Sequence, residues 1–392
     1  MYGCPLFRTF DLPNNEKTLT QKLMKLQGRI ITRSIHAAAV FFLMIATGIY
    51  ACTVQAQSLR PDQYEFKSGH PIAQVKNTPK TIHHVEGINM FAQAIALNQD
   101  INSAYEELKP RLTPGGNRMY FTRMMHPDNS GGKSDFEDIW YTDFESETGT
   151  WSQPARLSGV LNNAGPNYVN NVSVTGDTII LGNQYLKKGK MRAGVSYSVN
   201  VNGQWSDPTA IDIYDDYNMS EHSNSFVSLK TGVIIRSVQR AKTVGERDLY
   251  VSFWDGKQAT EPLNMGSVIN TAFEESSPYL ALDNKTLYFA SKGHNGYGGY
   301  DIYVTRRLDD SWTNWTQPEN LGPAVNGPKD EEFFSLTNDG SYAIFSKRVS
   351  VHNVDLFRIS TTDLFGKPTS AKVSPKKPIT EDILAEGALA EL

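Results

Sequence analysis

Residues 275–303 read ESSPYLALDNKTLYFASKGHNGYGGYDIY, and the fold is decided by this stretch. Glu275-Ser276-Ser277-Pro278 opens it, and Tyr279-Leu280-Ala281-Leu282 reads as a first strand. Asp283-Asn284-Lys285 suits a tight hairpin turn, because Asp and Asn tolerate the positive φ that such turns demand. In the next strand Leu287 and Phe289 alternate with Tyr288 and Ala290, as in a strand covered on both sides. The loop Gly293–Tyr300 then leads into Asp301-Ile302-Tyr303, a third strand.

The same units recur along the chain. Asp-aliphatic-aromatic triplets begin at Asp138, Asp248, Asp301 and Asp355, and Gly194-Val195-Ser196-Tyr197 is a degenerate copy. The starting positions 138, 194, 248, 301 and 355 differ by 56, 54, 53 and 54. Trp151-Ser152-Gln153-Pro154, Trp205-Ser206-Asp207-Pro208 and Trp315-Thr316-Gln317-Pro318 follow three of them, with Thr260-Glu261-Pro262 a weaker fourth. Asn162, Asn270 and Asn326 each stand eight residues after one of these prolines. Glu107-Leu108-Lys109-Pro110 opens the first repeat as Glu275-Ser276-Ser277-Pro278 opens the fourth.

Each unit gives four short strands in about 54 residues, a length that self-similarity makes one structural repeat. A lone four-stranded sheet cannot bury both faces, whereas sheets stacked radially around an axis can. The expected fold is therefore all-β, a β-propeller of five four-stranded blades over 95–362. The fifth repeat lacks its outer strand, and Leu97-Asn98-Gln99-Asp100-Ile101-Asn102 supplies the missing tail, so an N-terminal strand should close the ring. Six blades is the alternative, should 63–96 hold a degenerate blade.

The ends read differently. Lys25, Arg29 and Arg33 precede an apolar run from Ala37 to Ala51, the pattern of a signal peptide. Val54-Gln55-Ala56 fits a cleavage site, with Met24 as the expected start. The alternative is cleavage before Cys52, which would place a lipid anchor there as the sole membrane contact. Residues 1–56 are thus read as leader, 57–94 as an N-terminal linker, and 363–392 as a Lys/Pro-rich linker with a short C-terminal helix. Cys4 and Cys52 are the sole cysteines, so the mature domain has no disulfide and relies on its core. Net charge is −4, and with no basic domain nucleic acid is excluded as a partner.

The segments Asp283–Phe289, Gly293–Tyr303 and Arg306-Arg307-Leu308-Asp309-Asp310-Ser311-Trp312 resemble the TolB-like, WD-repeat-like propellers of Bacteroidetes envelope proteins. The resemblance covers roughly 95–360. It implies an exported, periplasmic or outer-membrane-associated setting. Such propellers often precede an OmpA-like domain, for which this chain, ending at Leu392, leaves no room.

Three groups of residues are candidates for chemistry. Glu107, Asn167, Glu221, Glu275 and Asp330 (or Glu332) are read as equivalent repeat positions, either an acidic ring at the channel mouth or local caps of backbone N–H groups. Asp138, Asp248, Asp301 and Asp355 are read as structural, accepting hydrogen bonds from loop amides. His294, Asn295, Tyr297 and Tyr300 give the glycine-rich loop an adaptable aromatic surface suited to glycan or peptide contact. No zinc, calcium, nucleotide or Ser-nucleophile motif is present, so neither cofactor nor metal is expected.

The leading expectation is a non-catalytic scaffold for envelope proteins, alongside outer-membrane or type IX secretion components. The alternatives are a carbohydrate- or peptide-binding module and a glycan-active hydrolase using channel-mouth carboxylates, which a motif search would not detect.

Overall fold

The computed structural model describes residues 81–366. The leader with its two cleavage points, most of the 57–94 linker, and the C-terminal segment from 367 lie outside the described residues.

Five antiparallel sheets follow one another along the chain. Blade four shows the plan: inner strand Glu275–Leu280, then Thr286–Ser291, Asp301–Arg306 and outer strand Glu319–Asn320. Blade one runs from Glu107–Leu112, blade two from Val169–Val172, blade three from Asn224–Val227 and blade five from Glu331–Leu336. Each inner strand touches the inner strand of the next blade, and the fifth touches the first. The ring is a five-bladed propeller.

Closure follows the sequence reading. Ile95–Ala96 pairs with the third strand of blade five, Asn353–Ser360, as its outer strand. Asn102 then donates to the carbonyl of Leu356 at 3.0 Å and accepts from its N–H at 2.8 Å. Asn162, Asn270 and Asn326 hold Ile139, Leu249 and Ile302 in the same two-sided way. The repeated asparagine thus gives the buried N–H its acceptor, and gives the carbonyl a second donor beside the outer-strand N–H of Leu97, Leu157, Met265 or Leu321.

Residues 81–94 do more than link. His83 accepts from the Asn320 N–H at 2.7 Å, and Val85 donates to the Asn320 carbonyl, so the segment lies along the outer edge of blade four. Val85 and Ile88 pack against the core shared by blades three to five. All six residues of the strand Thr286–Ser291 are buried, since both its faces meet a neighbouring blade.

The upper face of the disk carries the loops between second and third strands and those joining one blade to the next. The hairpin turns between first and second strands form the lower face.

Candidate functional site

The inner strands are bulged. Their registers shift between Leu108 and Arg111, Ser276 and Tyr279, and Glu332 and Ser335. At the same place in each bulge a non-glycine residue takes positive φ: Lys109 at 55°, Ser277 at 50° and Phe333 at 58°. Such backbone costs on the order of 1 kcal/mol or more per residue and clusters at functional sites. Here it re-aims side chains from three blades at the axis.

Lys109 shows the result. Its ammonium lies 2.7 and 2.6 Å from the two carboxylate oxygens of Glu137, 4.3 Å from the ring centre of Tyr168 on blade two, and 5.3 Å from that of Phe333 on blade five. A blade-one side chain that touches blades two and five stands in the channel. Below it, buried Arg111 donates to the carbonyl of Asn170 at 2.7 Å and to that of Phe333 at 3.4 Å, bridging blades two and five. Burial lowers the Arg111 pKa to about 10.

On the opposite wall, Glu332 accepts from the hydroxyls of Ser276 at 2.9 Å and Ser277 at 3.1 Å. Burial raises its pKa, although the serine hydrogen bonds and the charge of Arg247 oppose the shift. Glu274 is the contrary case. Burial alone would raise it, but hydrogen bonds from Lys292 and Tyr300 and the charge of Arg247 prevail, and its pKa falls to about 2. Arg247 lies 3.1 Å from one Glu274 oxygen, and the Tyr300 hydroxyl donates to the other at 2.7 Å. The same hydroxyl accepts from Arg247 at 2.9 Å. The upper mouth therefore gathers Glu137, Glu274 and Glu332 with Lys109 and Arg247.

The residues singled out in the sequence divide. Glu107 and Glu275 are fully buried and take their hydrogen bonds locally. Glu107 accepts from the Ser103 N–H at 3.0 Å, and Glu275 from the Thr271 N–H at 2.9 Å. Asn167 does the same for the Asn163 N–H at 2.7 Å. In blade five this place belongs to Glu331, which accepts from the Gly327 N–H at 2.7 Å, so the sequence register at Asp330 is one residue early. Asp330 instead accepts from the Tyr300 N–H at 3.0 Å and pairs with Arg348. Glu221 is a correction: it is exposed, and Ser223, opposite Val238 by strand register, holds the equivalent place. Repeat equivalence thus yields caps inside the blade junctions rather than a ring of acids, because each carboxylate turns back to N–H groups four residues upstream.

Asp138, Asp248 and Asp301 accept from the N–H groups of Ser130, Val244 and Tyr297 at 2.7, 2.8 and 2.7 Å. Asp355 is held instead by the Asn353 amide at 2.9 Å. In the glycine-rich loop, Tyr300 is buried and belongs to the mouth, whereas Tyr297 is half-buried and its hydroxyl meets His84 Nε2 at 2.8 Å. His294 turns inward to the Ile269 carbonyl at 2.9 Å, and Asn295 remains exposed. His294 and Asn295 line a cleft of about 630 Å3 with His83, His84, Arg306 and Glu319.

Sequence reading missed Lys109, Glu137, Tyr168, Arg247 and Glu274, and named Glu332 only as the alternative to Asp330. A signal existed: Glu137, Arg247 and Tyr300 each stand immediately before a motif aspartate. Among the described residues no group of His, Cys, Asp and Glu is arranged to hold a metal ion.

No family model matches the chain, and no curated protein matches it. Among solved structures, an α-L-arabinofuranosidase from Lactobacillus brevis is 12% identical, with 68% of this chain and 92% of that one covered and a TM-score of 0.44. A GH43 β-xylosidase/α-arabinofuranosidase from a compost microbial metagenome, solved with xylotriose, is 12% identical, with 69% and 94% covered and a TM-score of 0.44. A xyloglucan-locus GH43 protein of Bacteroides ovatus is 13% identical, with 68% and 54% covered and a TM-score of 0.44. The likeness is one of architecture, and function must be argued from the site.

The scaffold expectation is corrected at this point. Several solved structures that match are named as glycoside hydrolases or GH43 proteins. The physical reason lies in the mouth. Lys109 and Arg247, both largely removed from water, pair there with Glu137 and Glu274, and the charge of Arg247 also bears on Glu332.

Proposed function

We propose that the chain is a glycan-active hydrolase with its site at the upper channel mouth. The observation that carries this reading is the pair Glu332 and Glu274, pushed in opposite directions at one opening. Two carboxyl groups with separated pKa values can divide the roles of acid and base in one reaction. Glu332, whose pKa burial raises and which Ser276 and Ser277 hold, would give its proton to the leaving glycosidic oxygen. Glu274, held ionised by Lys292, Tyr300 and Arg247, would act as base or nucleophile on the sugar's other face. Arg247 holds the ionised one at 3.1 Å and acts on Glu332 through its charge. The exported setting read from the leader fits this activity, since polymeric glycans are met outside the cytoplasm.

The test is release of reducing ends from a panel of plant and bacterial polysaccharides by the wild type, Glu332→Gln and Glu274→Gln. Each variant should lose about 100-fold to 10,000-fold in kcat, the usual contribution of a positioned acid or base. Activity should persist to low pH, because Glu274 stays ionised down to about 2, and should fall at high pH as Glu332 loses its proton. Wild-type turnover unchanged in both variants would overturn the assignment.

A further inference from the structure

Trp151, Trp205 and Trp315 hold the same place in three repeats, yet Trp205 alone of them has no aromatic cover. The ring of Phe144 stands edge-on to Trp151 with centres 5.2 Å apart, and Trp315 is 3% exposed with Trp312 at 6.0 Å. Among the described residues no aromatic ring packs on Trp205. One side of it rests on the core shared by blades one and two, and the remainder lines an open groove.

The groove has a volume of about 660 Å3, within the range of about 300–1,000 Å3 usual for small-ligand sites. It lies on the lower face between blades one and two, across the disk from Glu274 and Glu332. The first hairpin turn of blade one, with Thr113 and Asn117, forms one wall, and that of blade two, with Val174 and Thr175, forms the other. A Cβ added at Gly176 would meet nothing within 4 Å, so this wall stands clear of the rest of the fold.

The lining is neutral in sum. Its charged side chains, Arg118 and Asp143, hold each other through Nε at 2.6 Å and Nη2 at 2.7 Å. A charged ligand would find no unpaired opposite charge there. Asn200 stands opposite Trp205 in strand register. Its side-chain oxygen accepts from the Gly203 N–H at 2.9 Å. Its amide nitrogen and the Trp205 indole N–H make no hydrogen bond among the described residues and are open to solvent. A half-buried indole beside such donors suits a sugar, whose C–H face covers the ring while its hydroxyls meet the N–H groups. An apolar partner would bury the same donors unpaired.

We propose that this lower-face groove holds an uncharged glycan chain and tethers the protein to polymeric substrate, apart from the reacting carboxyls. The choice of a glycan rests on the hydrolase reading; the groove and its neutrality do not. A chain held on the far face leaves the mouth free and raises the local concentration of polymer there, an advantage that short substrates do not share.

The experiment is affinity electrophoresis of the full chain through native gels containing arabinoxylan, galactomannan or hydroxyethyl cellulose. Release of reducing ends is followed on the same polymers and on short oligosaccharides derived from them. At least one polymer should retard the wild type. Trp205→Ala should weaken that retention about tenfold or more, and Trp205→Phe, which keeps a ring, should lose less. Val174 is 61% exposed, so Val174→Arg should obstruct the groove without disturbing the core, and it decides the matter should Trp205→Ala fail to fold. Turnover of short oligosaccharides should be unchanged in all three variants. The proposal is overturned if no polymer retards the wild type, or if retention survives in Trp205→Ala and Val174→Arg. Equally strong retention by polygalacturonate, lost in Trp205→Ala, would overturn the neutral assignment. Retention that Trp205 controls, without cleavage of any glycan, sinks the hydrolase reading and leaves the groove standing. Cleavage with retention that neither variant alters does the reverse.

Discussion

Blade four and blade two are built on one repeat, yet they are held by different means. In blade four Asp301 gathers the loop amides of Tyr297 and Gly298, Asn326 grips both backbone groups of Ile302, and Glu275 accepts from the N–H and hydroxyl of Thr271. Blade two has Gly194 where the aspartate stands, Asn167 where the glutamate stands, and among the described residues no asparagine side chain on Val195. It relies on close packing instead. The Tyr168 ring lies against Gly182, where an added Cβ would sit 1.9 Å from a ring carbon, and Gln184 packs over Gly194. The comparison teaches that the repeated residues hold each blade to itself, while residues that break the repeat, such as Tyr168 and Glu332, furnish the mouth.

The comparison can be broken most severely at Asn326. Asn326→Ala strands the buried N–H of Ile302 at about 1–3 kcal/mol and removes a second donor from its carbonyl, which keeps the Leu321 N–H, at about 0.5–1.5 kcal/mol, so the loss should be about 1.5–4.5 kcal/mol in chemical unfolding. A loss below 1 kcal/mol would show that the clamp is dispensable even in a regular blade. Next comes Gly182→Ala in blade two. The new methyl meets an almost fully buried tyrosine ring, and overpacking should cost about 1–3 kcal/mol by the same measurement. Because Tyr168 also lines the mouth, this variant should bind glycan less tightly, whereas Asn326→Ala should not.

The gentlest test uses pH. Burial raises Glu107, Glu275 and Glu331 from the ordinary 4.5 to about 7. A carboxyl whose folded pKa is raised contributes stability that is fully present below its unfolded pKa and is lost as pH rises through the folded one. Unfolding temperature should therefore decline between about pH 4.5 and 7, with Asp135 and Asp301, raised to about 6, acting in the same sense. Glu274 acts oppositely and only in acid, where its contribution is lost as pH falls from 4.5 towards about 2. Glu275→Gln keeps an acceptor for the Thr271 N–H and should flatten the decline. Blade two contributes nothing to the decline through Asn167, which does not titrate. An unchanged slope in Glu275→Gln would mean that this carboxyl stays ionised in the fold.

The architecture was legible in the sequence to the level of single residues. The spacing of Asp138, Asp248, Asp301 and Asp355 marked the third strands, and Asn162, Asn270 and Asn326 marked the start of each crossing to the next blade. The missing tail of the fifth repeat pointed to closure by the N-terminal strand, with Asn102 completing the series. These features were readable because they repeat, and a repeated residue makes the same local contact each time. The site was not readable in that way. Glu221 was aligned with Glu275 by motif spacing, but a short displacement within the loop left Ser223 opposite Val238 and Glu221 in solvent.

Local hydrogen bonding and period fixed the blades, the turns and their number, since each blade is specified within about 54 residues. Where side chains meet on the axis is a different matter. Lys109 finds Glu137 across 28 residues but meets Phe333 from the far end of the ring, and Glu332 finds Ser276 across 56. Those meetings depend on bulges that turn three inner strands by the same local irregularity, and on ring closure that brings blade five beside blade one. The pKa displacements of Glu274 and Glu332 follow from that convergence, because burial and neighbouring charge exist only once five blades share one axis.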